Sequence, residues 1–244
     1  MNTKKNTVHN EIEHFTHLHH IWWGARTPAG QRRYDNKAKL FKKVCRIKSG
    51  MKILEVGAGD GEFTKRIVKI VPAKVTVVAT DVTPAVVKRG KKEIKRQNLS
   101  FKVDNLEAMA FQKESFNIIC GVSILHHINT KKAIKEIYRV LKKDGEMFFT
   151  EPNYINPHVY LGLHIKPFRE RMEFSPDETA FKRWELEAAL KKAGFSTVVV
   201  KNIDFLHPKT PKSLIPLVET ISNVLEFVPF IKEISGTLMV YAKK

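Results

Sequence analysis

Cysteine is scarce in this chain. Cys45 and Cys120 are the only two among 244 residues, too few for a disulfide framework and in keeping with a reducing, cytoplasmic setting. Long apolar runs are missing as well. The most apolar stretch, Ser213 to Ile231, is interrupted by Pro216, Glu219, Glu226 and Pro229, which argues against a membrane-spanning helix. Residues 1–20 are polar and His-rich, so no secretory leader is expected there. The histidines His9, His14, His17, His19 and His20 have no accompanying cysteine, and Glu11 and Glu13 do not complete a ligand set, so no metal is expected. Gly/Ser linkers and internal repeats are absent, leaving a single domain with insertions over 1–244 as the expected organisation. Acidic residues are also in deficit: 25 Asp and Glu face 43 Lys and Arg, a formal charge of +18.

Hydrophobic residues make up 43% of the chain, enough for one sizeable core. The densest basic run, Lys88-Arg89-Gly90-Lys91-Lys92, sits between the apolar positions Val86, Val87 and Ile94. That spacing turns the basic side chains outward on a helix, a solvated face. The remaining basic residues are scattered and no RNA-binding module is recognisable, so no specific nucleic-acid partner is expected.

From residue 51 onward, short β-rich runs alternate with amphipathic ones. Strands are predicted at 52–56, 74–80, 101–103, 117–122, 146–150, 197–203 and 237–242. Helices are predicted over 61–71, 84–97, 130–141 and 183–193. Strand, helix, strand in regular order implies right-handed crossovers and an α/β fold with a parallel sheet covered on both faces. Residues 153–179 show little periodicity and contain Pro157, Pro167 and Pro176, so they read as a loop. In the insertion at 206–235, Leu214, Leu217, Val218, Ile221, Val224, Leu225 and Val228 recur at helical spacing opposite Glu219, Ser222, Asn223 and Glu226. Such a helix is expected to cover the lid side of a site; the other reading is peripheral contact with a membrane.

The most informative stretch is Ile53-Leu54-Glu55-Val56-Gly57-Ala58-Gly59-Asp60-Gly61. A strand running into Gly-x-Gly-x-Gly and then a helix lets the backbone approach a ligand where a Cβ would intrude. The third glycine comes one residue too early for a dinucleotide fingerprint. No Gly-Lys-Ser/Thr follows to hold terminal phosphates or Mg²⁺, which disfavours a nucleoside triphosphatase. Asp81 ends the second strand about twenty residues further on, where a carboxylate accepts ribose hydroxyls. Asp104, Asn105 and Leu106 end the third strand, placed to meet an adenine ring.

Together these motifs resemble the class I S-adenosylmethionine-dependent methyltransferases. The family's acidic residue and glycine motif is matched at Glu55, Gly57, Gly59 and Gly61, its ribose acid at Asp81 and its adenine-side acid at Asp104. Phe116 to Ile128 looks like the fourth strand and following turn, with Asn117 where the family carries Asp. Ile134 through Glu146 resembles the next helix and strand. The likeness covers roughly residues 50–151 and implies a Rossmann-like, seven-stranded, mostly parallel sheet. The cofactor it implies is S-adenosyl-L-methionine, contacted by Glu55, Gly57, Ala58, Gly59, Asp81, Val82, Asp104, Asn105, Leu106 and Val122. Trp22-Trp23-Gly24, with Arg32, Arg33 and Tyr34 beyond, is similar to the lid region of ubiquinone-pathway O-methyltransferases, with Arg33 expected to reach the cofactor's carboxylate. Residues 1–40 are then an N-terminal lid, 41–152 the cofactor core, 153–182 a second lid and 183–244 the C-terminal half. The two lids and the 206–235 insertion are expected to close over the acceptor.

Methyl transfer from a sulfonium needs the acceptor placed in line, and a base when the acceptor is a hydroxyl. His126 and His127 fall at the carboxyl end of the fourth strand. His127 is the first choice of base, ahead of His126, and Glu151 the reserve. Gly121-Val122-Ser123-Ile124 is unlike the Asn/Asp-Pro-Pro-aromatic turn of adenine methylation, and Cys120 lacks the preceding proline of cytosine C5 methylation. The expected reaction is O-methyl transfer to a small-molecule, lipid-linked or saccharide acceptor. The alternatives are an RNA methyltransferase and a regulatory module that binds cofactor without turnover.

Overall fold

The computed structural model describes residues 24–171 and 178–244. Trp22, Trp23 and the five N-terminal histidines lie outside them. Seven strands form one sheet: β1 (Lys52–Val56), β2 (Thr76–Asp81), β3 (Leu99–Val103), β4 (Phe116–Val122), β5 (Leu141–Pro152), β6 (Thr197–Ile203) and β7 (Thr237–Lys243). Their order is β3-β2-β1-β4-β5-β7-β6. β1 to β5 pair in parallel, and β7 runs antiparallel to both of its neighbours. The expected seven-stranded, mostly parallel sheet is therefore present.

Alternating side chains send the core to both faces. Leu54, Val56 and Ile119 face one apolar cluster, built with α4 (Thr130–Val140) and α7 (Arg183–Lys192). Ile53, Ile118 and Cys120 face the other, built with α1 (Pro28–Val44) and α2 (Glu62–Ile70). The two cysteines are free and buried, so Cys120 is a core residue, as its sequence context suggested. α3 (Pro84–Glu93) covers β2 and β3 through Val87, Ala79 and Phe101. Asn117 accepts a hydrogen bond from the Lys52 amide at 2.9 Å, so its amide oxygen serves the sheet where the family has a carboxylate.

Three expectations need correction. The stretch 153–179 is not simply loop: α5 (Pro157–His164), capped by Asn156 Oδ1 from the His158 and Val159 amides, and α6 (Lys166–Arg171) lie within it. Proline at the first helical turn starts α5 rather than breaking it. Residues Lys143-Asp144-Gly145, between the predicted helix over 130–141 and strand over 146–150, belong to an irregular start of β5, with Asp144 at φ 60° and a register shift against β4. Lastly, α8 (Ile215–Leu225) is turned the opposite way from the sequence reading. Its polar stripe faces the protein: Glu219 accepts from Arg32 and Asn36, Ser222 is buried, and Glu226 accepts the Asp204 amide. Its apolar stripe of Leu214, Leu217, Ile221 and Val224 is exposed.

α1 crosses the 40/41 boundary expected between lid and core. Thr27 caps it, its hydroxyl accepting from the Gly30 amide at 3.0 Å. Phe41, fully buried, packs against Phe63 and Phe148 with ring centroids 5.9 and 5.4 Å apart. Phe41→Ala should therefore cost about 3–5 kcal/mol, read as a lower denaturant midpoint with unchanged slope. A loss below about 1 kcal/mol would make α1 peripheral to the core.

Candidate active site

The parallel strands end on one edge of the sheet, where ligands of such sheets bind. The glycine turn between β1 and α2 runs in the left-handed region, with φ of 63° at Gly57, 51° at Gly59 and 74° at Gly61. A Cβ on Gly57 would come within 2.6 Å of the Ile124 side chain, so only glycine lets the turn pass beneath the end of β4. Asp81 fixes the turn from the side. Its Oδ2 accepts the Gly59 amide at 3.0 Å and its Oδ1 the Thr83 amide at 2.9 Å. Burial raises the Asp81 carboxyl above its ordinary value, the Thr83 and Gly59 amides pull it back, and the Asp60 charge pushes it up again. Asp104 Oδ1 accepts the amides of Asn105 and Ala110, whereas Oδ2 is buried with no hydrogen-bond partner. Leu106 is buried beside it, and Val82 follows Asp81 with its side chain half-buried.

A cavity of about 290 Å³ continues from the glycine turn. Its walls include Glu55, Gly57, Ala58, Gly59, Val122, His126, His127, Glu151 and Arg33. Asp81, Val82, Asp104, Asn105 and Leu106 lie outside that cavity, along the ends of β2 and β3. All three segments expected to close over the acceptor reach the cavity: Gly30 and Tyr34 from the first, His158 and Val159 from the second, Leu206 and His207 from the third. α8 does not line it.

At the end of β4 the chain turns sharply, with Ser123 at φ 53° and its amide donating to the Thr150 carbonyl at 2.7 Å. Glu151, fully buried on β5, holds this turn. Its Oε1 accepts the Ile124 and Leu125 amides at 3.1 and 3.0 Å, and its Oε2 lies 2.7 Å from His126 Nδ1. Each oxygen of Glu151 thus accepts at least one hydrogen bond from the turn that carries His126 and leads to His127. His126 Nε2 lies 3.8 Å from Glu178, and the His127 ring sits 3.9 Å from the His126 ring. Arg33 faces the cavity, and its guanidinium donates to Asp204 at 2.6 Å and to Thr237 at 3.1 Å.

Sequence reasoning missed Lys37. It is buried, lines the cavity, and lies one helical turn beyond Arg33 and Tyr34 on α1. Gly30, Arg33, Tyr34 and Lys37 follow the i, i+3, i+4, i+7 period, a signal the sequence carried. Burial and the Arg33 charge press the Lys37 ammonium down to about 7, against the attraction of Asp204 and Glu151. Glu55 moves the other way: burial, with the Asp81 charge adding, pushes its carboxyl up to about 8, and its Oε2 is buried with no hydrogen-bond partner. Burial likewise raises the Tyr34 phenol to about 12.

A family profile described as "Methyltransferase domain" matches residues 53–145, the span from β1 into β5 that carries the glycine turn and both strand-end acids. Residues 53–145 are a class I S-adenosylmethionine-dependent methyltransferase domain. This methyltransferase is 25% identical over 175 residues to the ubiquinone/menaquinone biosynthesis C-methyltransferase UbiE of Hydrogenovibrio crunogenus, covering 61% of the chain and 69% of that protein. Its fold is similar to a crystal structure of a S-adenosylmethionine-dependent methyltransferase from Thermotoga maritima, with a TM-score of 0.67 at 17% identity over 97% and 99% of the two chains. It is also similar to phosphoethanolamine N-methyltransferase 2 of Haemonchus contortus, solved with S-adenosyl-L-methionine, with a TM-score of 0.62 at 18% identity over 90% and 58%. S-adenosyl-L-methionine is the cofactor of the methyltransferase.

The two shifted groups give opposite pH dependences. Lys37 binds its proton less readily folded than unfolded. Its penalty is therefore complete below about pH 7 and disappears as pH rises to 10.5. Lys37→Met should raise stability by at most about 4–5 kcal/mol below pH 7, the gain fading across that window. Glu55 binds its proton more readily when folded, so its penalty is absent below pH 4.5 and complete above about 8. Glu55→Gln should therefore stabilise the protein only as pH rises through 4.5–8. Denaturation midpoints across pH check both, and a Lys37→Met gain that grew with pH would overturn the burial of that charge.

Proposed function

We propose that the methyltransferase transfers the methyl group to the oxygen of a hydroxyl on a small-molecule, lipid-linked or saccharide acceptor, with His127 taking the hydroxyl proton. The observation that carries this reading is the His126–Glu151 pair, 2.7 Å apart and buried. Glu151 bonds both the imidazole and two amides of the same turn, and so fixes the imidazole-bearing turn. That turn sets His127 in the cavity wall, where an imidazole can act as a general base.

The residues present fit the cofactor. The glycine turn leaves a cradle that a Cβ would fill at Gly57, and two buried carboxylate oxygens, Glu55 Oε2 and Asp104 Oδ2, await donors. Glu55 would accept from the cofactor's ammonium and Asp104 from the adenine amino group. Asp81, its oxygens already aimed by two amides, would take the ribose hydroxyls. Gly57, Ala58, Gly59, Val82, Asn105, Leu106 and Val122 would complete the walls. When bound, S-adenosyl-L-methionine supplies a methyl group activated on a sulfonium. Beyond that, the chain's own residues place the acceptor, exclude water and receive one proton at His127.

A second reading, transfer to carbon, is favoured by the likeness to the C-methyltransferase UbiE. Proton removal from a ring hydroxyl also enriches the neighbouring ring carbon in electrons, so the same base serves either atom. Product analysis separates them: with labelled methyl donor, an ether supports transfer to oxygen, and a new C–CH₃ bond supports the second reading. The scattered basic surface does not favour RNA, and a regulatory module would bind cofactor with no turnover on any acceptor.

Asp81→Ala should weaken cofactor binding by about 1–3 kcal/mol in calorimetric titration, the range for losing a charged hydrogen-bond acceptor. Wild-type tightness in that variant would remove Asp81 from the ribose site. His127→Ala should lower kcat by about 10²–10⁴-fold while leaving cofactor affinity unchanged. If kcat is undiminished in that variant, the base lies elsewhere.

A further inference from the structure

We infer that the segment 214–234 is a docking surface for an anionic lipid bilayer. The inference rests on the inverted orientation of α8 and on none of the acceptor assignments above.

A surface helix normally buries its apolar stripe. In α8 the polar stripe is the anchored one, held by the bonds from Arg32 and Asn36 to Glu219 and from the Asp204 amide to Glu226. Only Ile215 and Val218 add apolar contact, against Ala29 and Leu206. Leu217, Ile221 and Val224 therefore project outward at i, i+4 and i+7. Past the helix, Phe227 is 85% and Phe230 88% exposed, two aromatic side chains presented almost whole to solvent. Phe230 takes a left-handed φ of 65°, a conformation bulky residues rarely adopt, and Ile231 and Ile234 continue the exposed apolar surface.

Contiguous exposure of this kind marks an interaction surface, and charge selects its occupant. Lys209, Lys212 and Lys232 flank the apolar stripe, are exposed, and make no ion pair with any described residue. An apolar face with aromatic tips and a basic rim suits the boundary between headgroups and acyl chains. A second copy of the chain would bring another +18 against the same rim, which disfavours self-association. The position fits as well. Asp204 to Pro208, at the cavity wall, lead directly into this segment, and the Asn156 side chain donates to the Ile234 carbonyl at 2.7 Å, joining it to α5. Docking would set the rim of the cavity against the bilayer. No helix among the described residues is long and apolar enough to cross a membrane, so the contact is peripheral.

Flotation of the full chain with vesicles tests this without any methyl acceptor, so its outcome is separate from that of the proposed reaction. The protein should float with phosphatidylcholine–phosphatidylglycerol vesicles, much less with phosphatidylcholine alone, and release as salt is raised. Phe227→Ser combined with Phe230→Ser should weaken binding by about tenfold or more, with an unchanged melting transition because both rings are exposed. Lys212→Glu combined with Lys232→Glu should weaken it by about tenfold or more and remove the preference for anionic lipid. Failure of the wild-type chain to float with the mixed vesicles would overturn the inference, as would binding unaffected by the two serine substitutions. A wild-type dimer in sedimentation that those serines dissolve would assign the surface to a second copy and overturn it too.

Discussion

A single carboxylate, buried at the end of β5, decides how the site is built. Glu151 is removed from water, and a bare charge there would be costly. It is tolerated because two amides and an imidazole supply three hydrogen bonds. Those same bonds dictate where the chain goes after β4. The turn cannot relax outward without stranding Glu151, and Ser123 is held at a positive φ as a result. Ile124, part of the turn, lies so close over Gly57 that the first glycine of the cofactor loop has no alternative. The acceptor side and the cofactor side of the methyltransferase are thus set by one contact between adjacent parallel strands.

The sequence made the cofactor half legible because its chemistry is local. A tight strand-to-helix turn requires glycines at fixed spacing, and an acid at each following strand end is fixed by the β-α-β period itself. Asp81 was recognisable on those grounds, and the structure shows it bonded to the glycine turn it was expected to accompany. Strand and helix positions from 51 to 140 followed from the same periodicity. What was not legible depends on tertiary partners. Asp204, far along the chain, bonds the Arg33 guanidinium, and nothing local to Arg33 announces that partner. Nor does anything local reveal that Glu151 accepts two amides from another strand's turn. Lys37 had a readable helical period, yet a lysine in that pattern ordinarily points to solvent. Its burial comes from β-strand and insertion residues converging on α1.

The cavity wall carries a concentration of polar groups that a structure built for stability alone would avoid. Lys37 is forced toward neutrality and Glu55 toward protonation by the same burial, and Glu55 Oε2 has no hydrogen-bond partner. Shifts of this kind gather at functional sites. The two departures have opposite sign. A cation entering near Glu55 restores its charge, whereas a negative charge near Lys37 would restore that one. One pocket thus holds two buried groups of complementary character.

The orientation of α8 follows from the same accounting of polar groups. Periodicity identifies two faces of a helix but not which one the protein claims, and burial of the apolar face is the usual outcome. Here the surface that receives α8 is itself polar: Arg32 and Asn36 from α1 and the Asp204 amide present three donors. Had the apolar stripe turned inward, those donors would have faced leucine and isoleucine, and Glu219 and Glu226 would have been left to solvent. Those bonds accompany the outward apolar stripe. Arg32 and Asn36 are exposed and can turn to water, so the part-buried Asp204 amide is the donor whose loss would cost most, on the order of 1–3 kcal/mol. The exposed stripe is thus linked to the site beneath it: Asp204, whose amide Glu226 accepts, is the residue that also holds Arg33 at the cavity.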